Sequence, residues 1–259
     1  MNKTISIITV VFNDKDGLER TINSVLTQSY SSLEYIIIDG GSTDGTLNVI
    51  KEKQDKISKW ISEPDKGIYD AMNKGIKMAS SEWLCFMNAG DIFTNECVIE
   101  KVFSGDIPKS IDFLYSDIYV LNKKKERIVR KMDFHTGSLI HQCIIYKRKL
   151  HDVHGLYVVT PKIIISDFIF FAQIPEESVM KITPIIAVFE GGGISQQGNW
   201  AQQQAYCLDV VFRRRTFWGM VTAYTWKRLK ALMPSEKKDF IKRHLGLDYK
   251  GNDINSSNH

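Results

Sequence analysis

Residues 35–46 read Tyr-Ile-Ile-Ile-Asp-Gly-Gly-Ser-Thr-Asp-Gly-Thr, and this stretch constrains the fold more than any other. A β-branched run leads into Asp39, a glycine turn follows, and Ser, Thr and Asp then offer caps for a helix. Such a run is a buried strand that delivers Asp39 to its carboxyl end, where open α/β sheets bind ligands. The turn after it presents backbone N–H groups and a helix N-terminus, which suit phosphate. By itself the stretch points to a nucleotide-type ligand at a strand end.

The same alternation repeats through the first part of the chain. Ile5–Phe12 reads as a first strand broken by Asn13-Asp14, and Leu18, Ile22, Val25 and Leu26 recur at helical spacing. Leu33–Asp39, Ile57–Ser62 and Trp83–Met87 read as strands, with helices over Thr43–Lys53 and Tyr69–Ala79 between them. This β-α-β-α-β order predicts a mostly parallel central sheet with flanking helices, of the Rossmann-like α/β class. A helix over Glu96–Phe103 follows. Phe113–Leu121 and Glu126–Met132 are expected to form a hairpin around Asn122-Lys-Lys-Lys125, whose lysines are read as solvated. Cys143–Tyr146 and Lys181–Phe189 read as strands, Phe168–Gln173 as the start of a helix, and Gly191-Gly-Gly193 as a tight or mobile loop.

Strand-end features recur at Thr9–Asn13, Asp39–Asp44, Glu63–Asp70 and Asn88–Asp91. A parallel sheet lines up such ends on one edge, so Asp39, Asp65 and Asp91 are expected near a common cleft. Carboxylates at the rim of a nucleotide site suggest Mg²⁺ or Mn²⁺ with a diphosphate, since such ions take one or two carboxylates and fill the rest with phosphate oxygen and water.

Four segments resemble family 2 glycosyltransferases of the GT-A fold in order and spacing: Ser6-Ile-Ile-Thr-Val-Val-Phe-Asn13, Ser24-Val-Leu-Thr-Gln-Ser-Tyr30, Glu34 to Thr46, and Ser62-Glu-Pro-Asp-Lys-Gly-Ile-Tyr-Asp-Ala-Met-Asn-Lys-Gly75. Asn88-Ala-Gly-Asp91 stands where that family carries its DxD-type metal motif. The resemblance runs over about residues 4–195. It implies an inverting, metal-dependent transfer of a sugar from a nucleoside diphosphate sugar, with a lean to UDP, onto a glycan or lipid-linked acceptor in polysaccharide synthesis. It implies donor contacts at Thr9, Phe12, Asn13, Asp39, Gly41, Asp65, Lys66, Asp70, Asn88 and Ala89. Phe12 would stack on the base and Asp39 would accept from its N–H. Asp91 is the implied ligand of Mn²⁺ or Mg²⁺, in a motif thinned to one acid. Asp167, at the start of a helix and with Ser166 where relatives carry a second acid, is the implied general base. His141 and Gln142 are implied near the sugar or acceptor, and Gly192 and Gly193 in a late loop over the diphosphate.

Plainer roles compete with these. Asp70 and Asp167 also suit the first turn of a helix, Asp91 also suits a cap, His141 also suits a core, and the glycine loop also suits a surface turn. A sugar nucleotidyltransferase would want a basic glycine-rich loop after the first strand, where Asn13-Asp-Lys-Asp-Gly17 stands instead. A dinucleotide-binding dehydrogenase would want GxGxxG there. A degenerate nucleotide-binding scaffold draws support from the thinned metal motif.

Domain organisation is expected as a catalytic domain over 1–205, with a nucleotide half to about 105 and an acceptor half after it. A basic helical extension over 206–249 and a polar, disordered tail over 250–259 complete it. Arg213 to Arg243 holds ten Lys/Arg against Glu236 and Asp239, which makes the rest of a chain of net charge +4 mildly acidic. Mixed with Trp, Phe, Leu and Met, such a segment either lies on an anionic membrane surface or packs on the catalytic domain. No nucleic-acid module surrounds it. No apolar run approaches the roughly 18 residues of a membrane span. Thr4–Phe12 is short and followed by charge, so it does not read as a signal peptide, and a cytoplasmic address with peripheral attachment to the inner face is expected. Cys85, Cys97, Cys143 and Cys207 show no CxxC or zinc spacing and read as free thiols.

Overall fold

The computed structural model describes residues 3–122, 124–191, 200–213 and 216–232. The chain divides into two compact units, Met1–Gly192 and Gly193–His259. The first is built on β1 (Ile5–Val11), which is buried along its whole length because it is paired on both edges and covered on both faces. β2 (Leu33–Asp39) and β4 (Trp83–Phe86) flank it in parallel, and β3 (Lys59–Ser62) adds beyond β2. The registers Val11↔Asp39 and Asp39↔Ser62 bring the carboxyl ends of β1, β2 and β3 flush. The crossovers are α1 (Lys15–Leu26), α2 (Thr46–Glu52) and α3 (Ile68–Met78), followed later by α4 (Val98–Ser104).

β9 (Ile144–Lys147) enters antiparallel between β4 and β6 (Phe113–Tyr115), and β10 (Val179–Lys181) closes that edge parallel to β6. The result is a seven-stranded mixed sheet, ordered β10-β6-β9-β4-β1-β2-β3. A four-stranded sheet combines β5 (Ile92–Phe93), β11 (Ala187–Phe189), β7 (Ile118–Leu121) and β8 (Arg127–Arg130). Two short helices, α5 (Leu150–His154) and α6 (Ser166–Phe171), lie between β9 and β10 in sequence. Trp83, Tyr35, Tyr146, Phe86, Phe113 and Phe170 are the largest fully buried side chains, each contributing roughly 1.5–3 kcal/mol of burial.

Two expected strands are each divided. Phe113–Leu121 breaks at Ser116-Asp117, and β6 and β7 join different sheets. The Asp117 carboxylate holds Lys131 at 2.8 Å and Lys181 at 2.6 Å and accepts from Met132 N at 3.0 Å. Lys181–Phe189 breaks around Pro184, which cannot donate to a ladder, so β10 and β11 also part. The β7–β8 hairpin forms as expected, with Lys123 outside the described residues. α2 starts later than expected, at Thr46, because Gly45 takes φ 99° and Asp44 binds Thr46 N at 3.0 Å and its hydroxyl at 2.6 Å. The described part of the second unit is α7 (Trp200–Val211) and α8 (Phe217–Leu232), in contact through Gln203 Nε2 and the Tyr224 hydroxyl at 3.2 Å. Residues 233–259, including the expected tail, lie outside the described residues.

α3 approaches the sheet through Gly75, where a Cβ would stand 2.5 Å from Ile8 Cγ2 and 3.5 Å from Ile38 Cγ1. Ile8 is fully buried and β-branched, so it has no easy escape. Gly75→Ala is therefore expected to destabilise the protein by about 1–3 kcal/mol in urea unfolding. An unchanged midpoint would contradict this packing.

Candidate active site

The β2 turn is organised from within. Asp39 is fully buried and accepts from Ser42 Oγ at 2.5 Å, Ser42 N at 3.2 Å and Ser62 Oγ at 2.6 Å. Ser62 reaches it because the β2–β3 register sets the two side by side. The expected acceptor of a base N–H is thus covered, and its visible work is to hold the turn. Asn13, with φ 49°, accepts from Thr43 N at 2.8 Å and donates through its own N–H to Ser42 Oγ at 2.7 Å, so it clamps two loops together. Thr9 is fully buried, donating to the Met87 carbonyl at 2.8 Å, and does not reach the cleft surface.

Phe12 is 64% exposed, an unusual setting for a large ring at a strand end. A Cβ on Gly40 would meet Asp65 Oδ2 at 2.5 Å and Phe12 Cδ2 at 3.3 Å, so the ring, the turn and Asp65 converge. Gly41, at φ 85°, passes close to the Pro64 backbone. Asp65 accepts from Gly67 N at 2.8 Å, and Asp70 from Lys66 N at 3.0 Å. Asp70 therefore caps its own loop, while the Lys66 side chain is exposed.

A second group surrounds Asp91. It is 5% exposed, accepting from Gln142 Nε2 at 2.7 Å and from Glu190 N at 3.1 Å. Burial pushes its carboxyl up to about 7; the two hydrogen bonds pull the other way, and the charges of Glu190 and Asp14 add to the rise. Gly90, at φ 95°, lets the chain pass beside Asp14 and Glu190, and Glu190 in turn holds Arg20 at 2.6 Å. Thr21 donates to the Asp91 carbonyl at 2.8 Å. Ala89 is half-buried, and Asn88 Oδ1 is buried without a hydrogen-bond partner. An orphaned amide oxygen and one carboxylate are hard oxygen donors. They fit a divalent cation completed by phosphate and water. Among the described residues no three His, Cys, Asp or Glu side chains form a ready-made cation cage.

The third group contains Asp167, on the first turn of α6. Its Oδ1 accepts from the Tyr69 hydroxyl at 2.7 Å, and its Oδ2 lies 3.5 Å from His141 Nδ1. Burial alone would raise the Asp167 carboxyl, but His141 and the Tyr69 hydroxyl reverse this and hold it below its ordinary value. Ser166 is committed elsewhere, accepting from Val158 N at 2.6 Å. His141 and Gln142 are thus consecutive residues at the start of β9, one facing Asp167 and the other bound to Asp91. Gly192 and Gly193 lie outside the described residues. Asp14, Arg20, Tyr69, Tyr157 and Glu190 were not singled out from sequence, and no local pattern marks them.

The model described as "Glycosyl transferase family 2" matches residues 6–105. Residues 6–105 are thus similar to a family 2 glycosyltransferase domain. An uncharacterized glycosyltransferase of Mycobacterium tuberculosis is 45% identical over 99 residues, 38% of each chain. The Escherichia coli UDP-Glc:alpha-D-GlcNAc-diphosphoundecaprenol beta-1,3-glucosyltransferase WfaP is 31% identical over 117 residues, 45% of this chain and 46% of its own. The matched region thus spans less than half the length of either relative. A mannosyltransferase from Pyrobaculum calidifontis, solved with GDP-Man and Mn²⁺, superposes with a TM-score of 0.64 at 14% identity over 95% of this chain and 81% of its own. The mixed sheet with flanking helices is the GT-A fold. The family 2 match ends at residue 105, so it contains the β2 turn and Asp91 but not His141, Gln142 or Asp167.

The buried His151 gives a pH prediction. Burial pushes its imidazole down from 6.5 to about 4, so between those values the unfolded chain binds a proton that the folded one refuses. Its stability contribution is full above pH 6.5 and is lost as the pH falls toward 4. His151→Gln should therefore reduce the fall in Tm over that interval, and an unchanged slope would contradict a neutral, buried His151.

Proposed function

We propose that the protein is an inverting glycosyltransferase that moves a sugar from a nucleoside diphosphate sugar to a hydroxyl of a glycan or lipid-linked acceptor. The observation that carries this reading is the His141-Gln142 pair, which joins a carboxylate suited to a base with one suited to a cation. The environments of the two acids differ in the required sense. Against the effect of burial, His141 and the Tyr69 hydroxyl keep the Asp167 carboxyl below its ordinary value, which suits a base, whereas burial raises that of Asp91, which an arriving positive charge would offset.

In this reading the exposed Phe12 ring and the Gly40-Gly41 turn receive the base, with Asp65 beside them. UDP is the favoured donor nucleotide, as the name of the E. coli relative states for that enzyme. Asp91, with Asn88 beside it in sequence, would hold Mn²⁺ or Mg²⁺, which supplies charge to offset the departing diphosphate. Asp167 takes the proton of the acceptor hydroxyl. The acceptor oxygen then bonds to the anomeric carbon on the face opposite the diphosphate, which leaves with the electron pair of the broken bond. Tyr69 keeps the base oriented by its hydrogen bond to Oδ1.

Asp167→Asn is expected to lower transfer by about 10²–10⁴-fold while leaving UDP affinity within twofold of the parent. Full activity in this variant would overturn the assignment of the base. Lost UDP binding would instead mark Asp167 as structural.

The acceptor reading extends to a membrane surface. No described helix is long and apolar enough to cross a membrane. Phe217, Trp218 and Leu229 on α8 are nonetheless 55%, 73% and 54% exposed, in a segment that also carries Arg213 and Arg228. Exposed aromatic and cationic residues on one helix suit an anionic lipid interface. The intact protein is expected to co-sediment with vesicles containing phosphatidylglycerol and not with neutral ones. Equal recovery in the supernatant with both would remove this part of the reading.

A further inference from the structure

The buried polar groups behind Asp167 form one continuous chain. Its first member is the Gly155 carbonyl, 2.9 Å from His151 Nδ1. His151 Nε2 lies 2.9 Å from the Tyr146 hydroxyl, which lies 2.9 Å from the Tyr157 hydroxyl. Tyr157 in turn lies 3.2 Å from His141 Nε2. Tyr146, Tyr157, His141 and His151 are 0%, 3%, 5% and 7% exposed, so bulk water has little access to reorient these groups.

The direction of each hydrogen bond follows from the first. A carbonyl only accepts, so His151 carries its hydrogen on Nδ1. Burial keeps His151 neutral, which leaves Nε2 as an acceptor. Tyr146 must therefore donate to it. A hydroxyl has one hydrogen, so Tyr146 can only accept from Tyr157, and Tyr157, its hydrogen spent, can only accept from His141 Nε2–H. His141 Nδ1 is then the nitrogen left to face Asp167. It is buried, has no hydrogen-bond partner at normal distance and stands 3.5 Å from Asp167 Oδ2.

We propose that this chain holds a hydrogen on His141 Nε2, so that Nδ1 is the nitrogen that exchanges a proton with Asp167 and the two groups share that one proton. The proposal rests on Asp167 being the general base. The hydrogen bond made by one imidazole nitrogen decides the state of the other. A proton on Nδ1 makes an imidazolium whose Nε2–H remains on Tyr157 and whose Nδ1–H faces the Asp167 carboxylate. Tyr146, His151 and Tyr157 act as positioning residues. The titratable groups facing His141 are Asp167 from α6, with Tyr69 of α3 behind it, and Tyr157, Tyr146 and His151 from the chain itself. Phe86 and Phe171, with ring centroids at 4.7 and 5.3 Å, complete the surroundings.

The test is ¹⁵N NMR of the six histidine rings in the full-length protein labelled at histidine, followed across pH, with His141→Gln to assign the signal. The expected result is a His141 ring that carries hydrogen on Nε2 throughout, with Nδ1 as the nitrogen whose proton comes and goes. Tyr157→Phe should abolish that preference and lower transfer about ten- to hundredfold, the scale seen when a supporting partner of a site is lost. Its UDP affinity should be unchanged. If Tyr157→Phe fails to fold, Tyr146→Phe cuts the same chain one bond earlier and is expected to change the His141 signal in the same direction. A wild-type His141 with hydrogen on Nδ1 and a bare Nε2 would overturn the proposal. So would a folded variant whose His141 signals match the parent. The ring signals need no substrate. A protein with the expected tautomer but no transfer would therefore count against the glycosyltransferase reading alone.

Discussion

The parallel register of β1 with β2 and β4 is the constraint on which the rest depends. With Val11 opposite Asp39, and Asp39 opposite Ser62, every loop leaving this part of the sheet starts from one edge. The loops can then be tied to each other by short side chains. Asn13 and Ser42 bridge the first two, and Asp39 and Ser62 bridge the second and third. A slip of one residue would turn every β1 side chain to the opposite face. The fully buried strand leaves no such alternative open.

On this edge the protein gives two carboxylates opposite characters with the same means. Both are buried, and burial acts to raise both. Asp91 receives only neutral donors, from Gln142 and the Glu190 backbone, and has two further acids near it. Asp167 receives a phenol and faces an imidazole. The difference lies in the partners, and residues 141 and 142 supply one partner to each.

Much of the frame was legible in the sequence, because long apolar runs bounded by polar turns have one economical reading. β1 and β2 fall within a residue of their expected ends for that reason. Phe113–Leu121 misled because the apolar content is the same on both sides of Ser116-Asp117; only the distant Lys131 and Lys181 make Asp117 a junction. The covering of Asp39 depends on a neighbour 23 positions away, and so could not be read from the turn itself. Asp167 stood out as an acid at a helix start. Its partners did not, because Tyr69 is 98 positions away in sequence and Tyr157 reaches it only through His141.

The antiparallel entry of β9 has a consequence for assembly. A strand that runs against its neighbour begins where the parallel strands end, so the chain delivers His141 and Gln142 on its way in, not on its way out. Gln142 closes on Asp91 across 51 positions of sequence, and the loop between them must be folded before that acid is enclosed. Contacts of such separation form late and cooperatively. A partly synthesised or locally opened chain can therefore keep its β2 turn in place while Asp91 and Asp167 remain in water with ordinary acidity.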